Sequence, residues 1–295
     1  MLELYVEAVR VLAKATGDTV SPKSIKAFEA TRNSYEPKLV KSLMGIFKRA
    51  ATRFKRKLSV DRLADLLSKI KKDSQDDVKQ AIADIIDAAF VGSAEDFVGV
   101  ESDLVDDLAQ QYHTVYAVKL NFKQVNTQAV NYLQNHAENH FSRLSDDVAE
   151  GILRTAGTAM ADTEGYTIKD IARSIRDAIF TNNIPLPNQS LETTAYSMLV
   201  ARTESARASS QAQKATLESL GLKTWQWQAS DYACDECSEN DGEICAIGDS
   251  FPSGDDSVPA HPNCLCCLTA VLDELTSLDS DDDTDSADDE EAGDD

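Results

Sequence analysis

The stretch WQWQASDYACDECSENDGEICAIGDSFPSGDDSVPAHPNCLCCL, residues 225–268, contains all six cysteines and both tryptophans of the 295-residue chain. It reads as Cys-x-x-Cys, then a segment rich in Gly, Asp and Pro, then His-Pro-Asn-Cys-x-Cys. Two sulfurs three residues apart can bind one side of a tetrahedral ion, and a second half-site across the loop completes the coordination. The spacing therefore predicts a metal site, with the candidate ligands Cys234, Cys237, His261, Cys264 and Cys266.

Five candidate ligands compete for the four positions of a tetrahedral site, which favours a closed structural site over a catalytic one. Sulfur-rich ligation favours Zn²⁺. Cys234 and Cys237 form one half of the predicted site. His261 completes it with Cys266 or with Cys264, and both pairings stay open because residues 264 and 266 face the same way on a strand.

Two other uses of the cysteines are considered. Six is an even number, so disulfides are an alternative, but no secretory signal is recognised and a chain of this length buries a core without cross-links. A redox pair is the second alternative, and it is expected at the N-terminus of a helix that follows a strand. The metal site is the preferred interpretation.

Four motifs resemble a known family when they are taken together: ARTE at Ala201–Glu204, GLKTWQW, D-x-x-C-x-x-C-x-x-x-D-G, and FPSG followed by PAHPNCLC. They are similar to the phage head morphogenesis family, the minor head proteins like protein F of phage Mu and the minor head protein of phage SPP1. The resemblance covers roughly residues 110–272. One departure is Leu265, where the family usually has Arg between the two cysteines.

The resemblance implies a minor capsid protein of a tailed phage that binds at the portal vertex during head assembly. It implies contact with the portal protein and other capsid components, proximity to packaged DNA, assembly in the host cytoplasm, and a final location in the virion, inside the head or at the portal vertex. It also implies a virion component with no chemical activity. The alternatives are a zinc-dependent, nuclease-like enzyme acting on nucleic acid, with His261 as base, and an adaptor outside any virus.

The residues themselves also argue against an enzyme. The sequence has no glycine-rich phosphate loop, no Ser/His/Asp constellation and no HExxH motif. His113, His136 and His140 lie outside the cysteine stretch and, without such a motif, are expected to be ordinary packed or exposed histidines.

Charge is unevenly distributed along the chain, whose formal net charge is −22. Residues 1–72 hold 17 Lys and Arg against 7 Asp and Glu, whereas residues 273–295 hold 13 acids and no base. A chain this acidic is not a general nucleic-acid binder, because phosphates would repel most of its surface. No apolar run approaches the roughly 20 residues that span a bilayer, so we expect no membrane partner.

Apolar periodicity predicts a mainly α fold: a multi-helix body, a small antiparallel β zinc-binding module and a disordered acidic tail. The expected divisions are an N-terminal helical region with a basic first part, a helical head-morphogenesis core, the zinc module and the tail, at residues 1–98, 99–221, 222–273 and 274–295. The basic helix around residues 39–56 is expected to be a solvated amphipathic helix, with a basic docking arm as the alternative.

Local signals predict where several elements begin and end. Thr167 and Asp170, like Ser74 and Asp77, form capping boxes. Ser190 is expected to cap a long helix that ends at Gly221.

Residues 222–230 and 266–272 are predicted strands, and Asp241-Gly242 is a predicted hairpin turn. Arg202 and Glu204 lie on different sides of the long helix. They form either an exposed charged face or a segment that packs against the metal module, and Glu204 is placed to pair with Arg207.

Overall fold

The structure is a computed structural model that describes residues 20–70, 75–116, 118–162 and 167–271. Within these ranges the prediction of a mainly α fold followed by a small antiparallel sheet is confirmed. The predicted acidic tail at 274–295 and Ser74 of the second capping box lie outside the described residues.

Eight helices and five short strands make up the described part of the chain. The helices are α1 Pro22–Lys57, α2 Val60–Lys69, α3 Gln75–Phe90, α4 Ser93–Tyr116, α5 Phe122–Asp162, α6 Ile168–Ala178, α7 Thr193–Ser219 and α8 Asp235–Glu239. The strands are β1 Asn183–Pro185, β2 Ser190–Glu192, β3 Thr224–Gln228, β4 Ile244–Ala246 and β5 Cys267–Ala270. None of the described helices is both long enough and apolar enough to cross a membrane.

Helix α1 begins where Ser21 accepts a hydrogen bond from the backbone amide of Ser24, with a proline at its first position. Its apolar stripe is buried, as the periodicity predicts, and consists of Leu39, Leu43, Ile46, Phe47, Ala50 and Phe54. This stripe packs against α7, α4 and α3. The basic helix α1 is therefore amphipathic and belongs to the helical body.

Some of the basic side chains of α1 make contacts within this body. Arg53 donates to the carbonyl oxygens of Ala89 and Val91 at the C-terminal end of α3, at 3.1 and 2.7 Å. Lys48 and Arg56 stay exposed to solvent. One basic side chain of α1 thus caps the C-terminal end of a neighbouring helix, whereas two others face solvent.

Helix α4 begins at Ser93, whereas the sequence pattern places the resumption of helix at about residue 99. The helical run breaks between α3 and α4 at Gly92, which has a positive φ of 77° that glycine adopts without strain. Residues 98 and 99 accordingly lie inside one continuous helix, which packs against α1, α5 and α7.

Helix α7 lies at the centre of the body and contacts α1, α4, α5 and strand β5. Small residues let these neighbours approach closely, and Ala201, Ala208 and Ala212 have no exposed surface. The helix ends as predicted at Gly221, which has a φ of 74° and allows the amide of Leu222 to bond the carbonyl of Leu217 at 3.0 Å.

The predicted cap at Ser190 is wrong, because Ser190 lies in strand β2 and α7 begins at Thr193 with no side-chain cap. Residues 183–185 and 190–192 pair as an antiparallel hairpin that the sequence analysis missed. The capping box of Thr167 and Asp170 at the start of α6 is confirmed.

The small C-terminal module is an antiparallel sheet with the strand order β4-β3-β5. Its central strand β3 carries Trp225 and Trp227, which are both buried, and the Trp227 ring packs edge-on against Phe251 at 5.0 Å. Asp241-Gly242 does lie in a turn, but the predicted hairpin is wrong, because this turn joins α8 to β4 and does not connect two strands directly. Strand β5 contacts α7, which joins the module to the helical body.

Candidate metal centre

The first half of the centre is built on the short helix α8. Cys234 is the N-cap of this helix, and its sulfur accepts a hydrogen bond from the amide of Cys237 at 3.5 Å. The helical turn therefore turns both sulfurs to the same side. Cys234 is exposed and Cys237 is buried.

The second half comes from the loop before β5. His261 Nε2 lies 3.3 Å from the sulfur of Cys234 and 3.4 Å from that of Cys237. The sulfur of Cys264 lies 3.9 Å from that of Cys237. Asn263, which lies between His261 and Cys264 in the sequence, has a φ of 64°. This is the left-handed conformation that asparagine tolerates, and it bends the loop back toward α8.

The five predicted ligands form two overlapping groups of three. Within each group, all ligand atoms lie within 4.8 Å of one another. The first consists of Cys234, Cys237 and His261, the second of Cys237, Cys264 and Cys266. Zn–S bonds of about 2.3 Å in a tetrahedron place two sulfurs about 3.8 Å apart. The distances of 3.3 to 3.9 Å between neighbouring ligand atoms therefore fit a zinc ion.

The tautomer of His261 also fits a metal ligand. Its Nδ1 lies 2.9 Å from the carbonyl oxygen of Pro262, and a carbonyl only accepts, so Nδ1 carries the proton. In the neutral ring Nε2 then has a free lone pair directed at the sulfurs. A metal-ligating histidine commonly has its other ring nitrogen held in this way.

The thiols differ strongly in acidity. A hydrogen bond with Cys266 lowers the pKa of Cys264 to about 5, and the same bond raises the pKa of Cys266. Burial raises the pKa of Cys237 to about 12, whereas the backbone amide of Cys237 lowers the pKa of Cys234. Packing three or more thiols this closely favours one thiolate at a time, so a bound cation would be needed to ionise them together.

The remaining two cysteines stand apart from both groups. Cys245 lies in β4 opposite Trp225, and Cys267 is buried in β5 opposite Gln228. All six cysteines are free thiols in the structure, which disfavours the disulfide alternative. Cys234 does lie at the start of a helix after a strand, as a redox pair would, but His261 and Cys264 are packed directly against its partner Cys237.

Polar contacts hold the loop between the two halves of the centre. Asn240 is fully buried and its side chain bonds both the amide and the hydroxyl of Ser253, at 3.0 and 2.8 Å. Asp241 accepts from the amide of Ala229 at 2.8 Å, and the amide of Gly242 bonds the carbonyl of Trp227 at 2.9 Å. These bonds attach the loop to β3 on one side and to residues 251–255 on the other.

Three residues of the helical body hold the module in place. Arg32 of α1 donates to the carbonyl oxygens of Cys266 and Leu265, at 2.9 and 3.0 Å. Thr203 of α7 accepts from the amide of Asn263 at 3.2 Å. Tyr116 of α4 accepts from the amide of Ala270 at 3.3 Å.

Sequence reasoning missed Arg32 and Tyr116, since neither lies in a motif. Thr203 lies in the ARTE segment, and its bond to Asn263 supports the alternative that this segment packs against the metal module. Arg202 is half-buried and forms an ion pair with Glu36 at 3.6 Å.

An exposed charged face is wrong for Glu204, which is 5% exposed. Its carboxylate accepts from Arg207, as the spacing predicts, and from His136, at 3.0 and 3.2 Å. His140 is half-buried, and burial lowers its pKa. Within the described residues, the histidines of α5 join no metal-binding group, since both such groups lie in the module.

Comparison with known proteins identifies one family model that matches part of the chain. Residues 155–269 match the family model described as phage Mu protein F like protein. The matched range runs from the end of α5 to β5, so it includes α7 and all five candidate ligands. No curated protein and no solved structure matches the chain. The match of residues 155–269 to the phage Mu protein F like family therefore confirms the resemblance and supports a role in phage head morphogenesis.

Proposed function

We propose that this protein is a minor capsid protein of a tailed phage, which binds at the portal vertex while the head assembles and carries one structural Zn²⁺. The observation that carries the proposal is the position of the Cys/His cluster inside the matched region, where its loop is bonded to Thr203 of helix α7. A role in assembly needs a rigid surface, and a small three-stranded sheet has little core of its own. A zinc ion would supply the folding free energy that this module lacks.

The ligands of the proposed zinc are four of the five residues Cys234, Cys237, His261, Cys264 and Cys266. With all four positions taken by the protein, the ion has no site for a reacting water, which is why we propose a structural zinc and no enzymatic activity. The zinc would neutralise the closely packed thiolates and hold the helix α8 against the loop that precedes β5.

The division of charge suits a protein that contacts two partners. The basic face of α1 leaves Lys48 and Arg56 exposed, while the chain as a whole carries a net charge of −22. Complementary charge sets the register and the encounter rate of an interface more than its affinity. We propose that the acidic body faces one capsid component, the portal protein among them, and that the basic face lies toward packaged DNA or an acidic partner.

The experiment is co-expression of the chain with the portal protein of the same phage, followed by affinity purification and zinc analysis. We expect a complex with the portal protein, one zinc per chain, and low copy number in mature particles. Cys237→Ser is the informative variant and Cys245→Ser its control, because Cys245 lies outside the cluster. Absence from particles, together with nuclease turnover that is lost in His261→Ala, would contradict the proposal.

A further inference from the structure

Arg32 reaches the candidate metal centre from a part of the chain 234 residues away. It lies on α1, outside the family match, and only 3% of its surface is exposed. Its two terminal nitrogens donate to the carbonyl oxygens of Leu265, which lies between the ligands Cys264 and Cys266, and of Cys266 itself. One planar guanidinium thus holds two consecutive peptide groups of the ligand loop.

The charge of Arg32 has no carboxylate partner among the residues that the structure describes. Its third nitrogen, Nε, makes only a long contact of 3.4 Å with the side-chain oxygen of Asn33. A buried cation paired only with neutral carbonyl groups is costly, because those groups replace little of the solvation lost on burial.

Binding of a divalent ion changes this balance. Three thiolates and one imidazole around Zn²⁺ leave one net negative charge, and four thiolates leave two. An anionic centre next to the buried guanidinium would be stabilised by its positive charge. The contact of Arg32 with the ligand loop therefore favours metal binding in two ways: it positions the ligands, and it places a positive charge beside the anionic centre.

We propose that Arg32 is a positioning residue of the zinc site: it holds the segment Cys264–Cys266 in the binding conformation and provides the counter-charge of the zinc–thiolate centre. The proposal rests on the zinc site of the proposed function. It makes zinc affinity depend on the helical body as well as on the module, because a residue of α1 sets the geometry of ligands near the C-terminal end. Zinc binding and docking of the module on α1 are then linked equilibria.

The test compares the zinc affinity of the full chain and its variants by competition with a chromophoric chelator under reducing conditions. Arg32→Gln should weaken zinc binding about 10- to 100-fold, the range seen when the groups that orient metal ligands are replaced. Arg32→Lys keeps the charge but loses the two-pronged geometry, so its affinity should lie between those of the wild type and Arg32→Gln.

Arg176→Gln is the matched control. Arg176 also donates from two nitrogens to two carbonyl oxygens, those of Leu58 and Lys55, both at 3.0 Å, but it joins α6 to the end of α1. Its replacement should lower the thermal midpoint and leave zinc affinity unchanged. Arg32→Gln should instead reduce the rise in thermal midpoint that zinc produces, with a smaller effect on the metal-free protein.

Co²⁺ in place of Zn²⁺ gives a second readout, since its absorption bands report the ligand set. We expect Arg32→Gln to need more Co²⁺ for the same thiolate bands. If the wild type binds no metal, the zinc site itself is wrong. If the wild type binds zinc and Arg32→Gln binds it equally well, the role of Arg32 is wrong while the zinc site stands. Should Arg32→Gln fail to fold, Arg32→Lys decides, and wild-type affinity in that variant overturns the proposal.

Discussion

The sulfur of Cys237 lies 3.9 Å from the sulfur of Cys264, although 27 residues separate them in the sequence. Cys237 also contacts His261 and belongs to both groups of candidate ligands. It therefore lies at the centre of the cluster and is the one candidate ligand that both groups share.

We predict that Cys237→Ser abolishes stoichiometric zinc binding. Of the other four candidates, one should tolerate replacement by Ser, since a tetrahedral ion takes only four ligands. Elemental analysis of protein purified under reducing conditions measures this, with Cys245→Ser as the control that retains zinc. Equal loss of zinc in all five single variants would contradict a four-ligand site.

The buried carboxyl group of Glu101 should make stability fall as pH rises. Burial, followed by the charge of Glu204, raises the pKa of Glu101 well above 4.5, and neither of its oxygens has a hydrogen-bond partner within the described structure. A group with a raised folded pKa stabilises the protein fully below its unfolded pKa, and this stability is lost as pH rises through the folded pKa. Each pH unit within that window costs about 1.4 kcal/mol.

We therefore expect Glu101→Gln to raise the thermal midpoint, and to raise it more at pH 8 than at pH 5. Glu95→Gln changes an exposed acid on the same helix and is the control. His140, whose pKa is lowered by burial, should lower stability below pH 6.5 in the wild type and in both variants alike. A gain that is independent of pH would show that Glu101 is not the titrating group.

Glu204→Gln should destabilise the protein by about 1–3 kcal/mol, the cost of leaving buried donors poorly paired. Burial would raise the pKa of Glu204, but the hydrogen bond from His136 and the charge of Arg207 outweigh it and lower the pKa. The stabilisation is thus present above about pH 4.5 and lost as pH falls through the folded pKa. Denaturant unfolding at pH 7 and pH 4 measures it, and the exposed Glu138→Gln serves as control. If Glu204→Gln lowered the free energy of unfolding as much at pH 4 as at pH 7, the titrating group would not be Glu204.

Gly151→Ala should destabilise the helical body by about 1–3 kcal/mol, as overpacking does. A Cβ at this position would lie 2.5 Å from the carbonyl carbon of Pro185, so α5 and the β1–β2 hairpin would have to separate. Gly157→Ala on the same helix meets nothing within 4 Å and should be neutral or stabilising by about 0.5–1 kcal/mol. Equal effects of the two substitutions on the thermal midpoint would refute the close approach.

Much of this fold follows from local patterns. The buried stripe of α1, the capping box at Thr167 and the stop at Gly221 depend on residues within a few positions of one another, so their spacing predicts them. Ser190 shows the limit of such reasoning. A serine before an apolar run is a good helix cap, but here pairing of residues 183–185 with 190–192 takes the backbone into a hairpin first.

The sequence by itself determined the ligand types of the candidate centre and the two segments that carry them, because Cys-x-x-Cys and His-x-x-Cys-x-Cys are local spacings with one shared chemistry. Only the tertiary structure decided that Cys237 joins both groups, that Glu204 is buried between His136 and Arg207, and that Arg32 holds the ligand loop. Each of these contacts joins residues that lie in different elements or depends on which face a neighbouring helix covers. No pattern along the chain encodes that choice, since it is made by packing of the whole helical body.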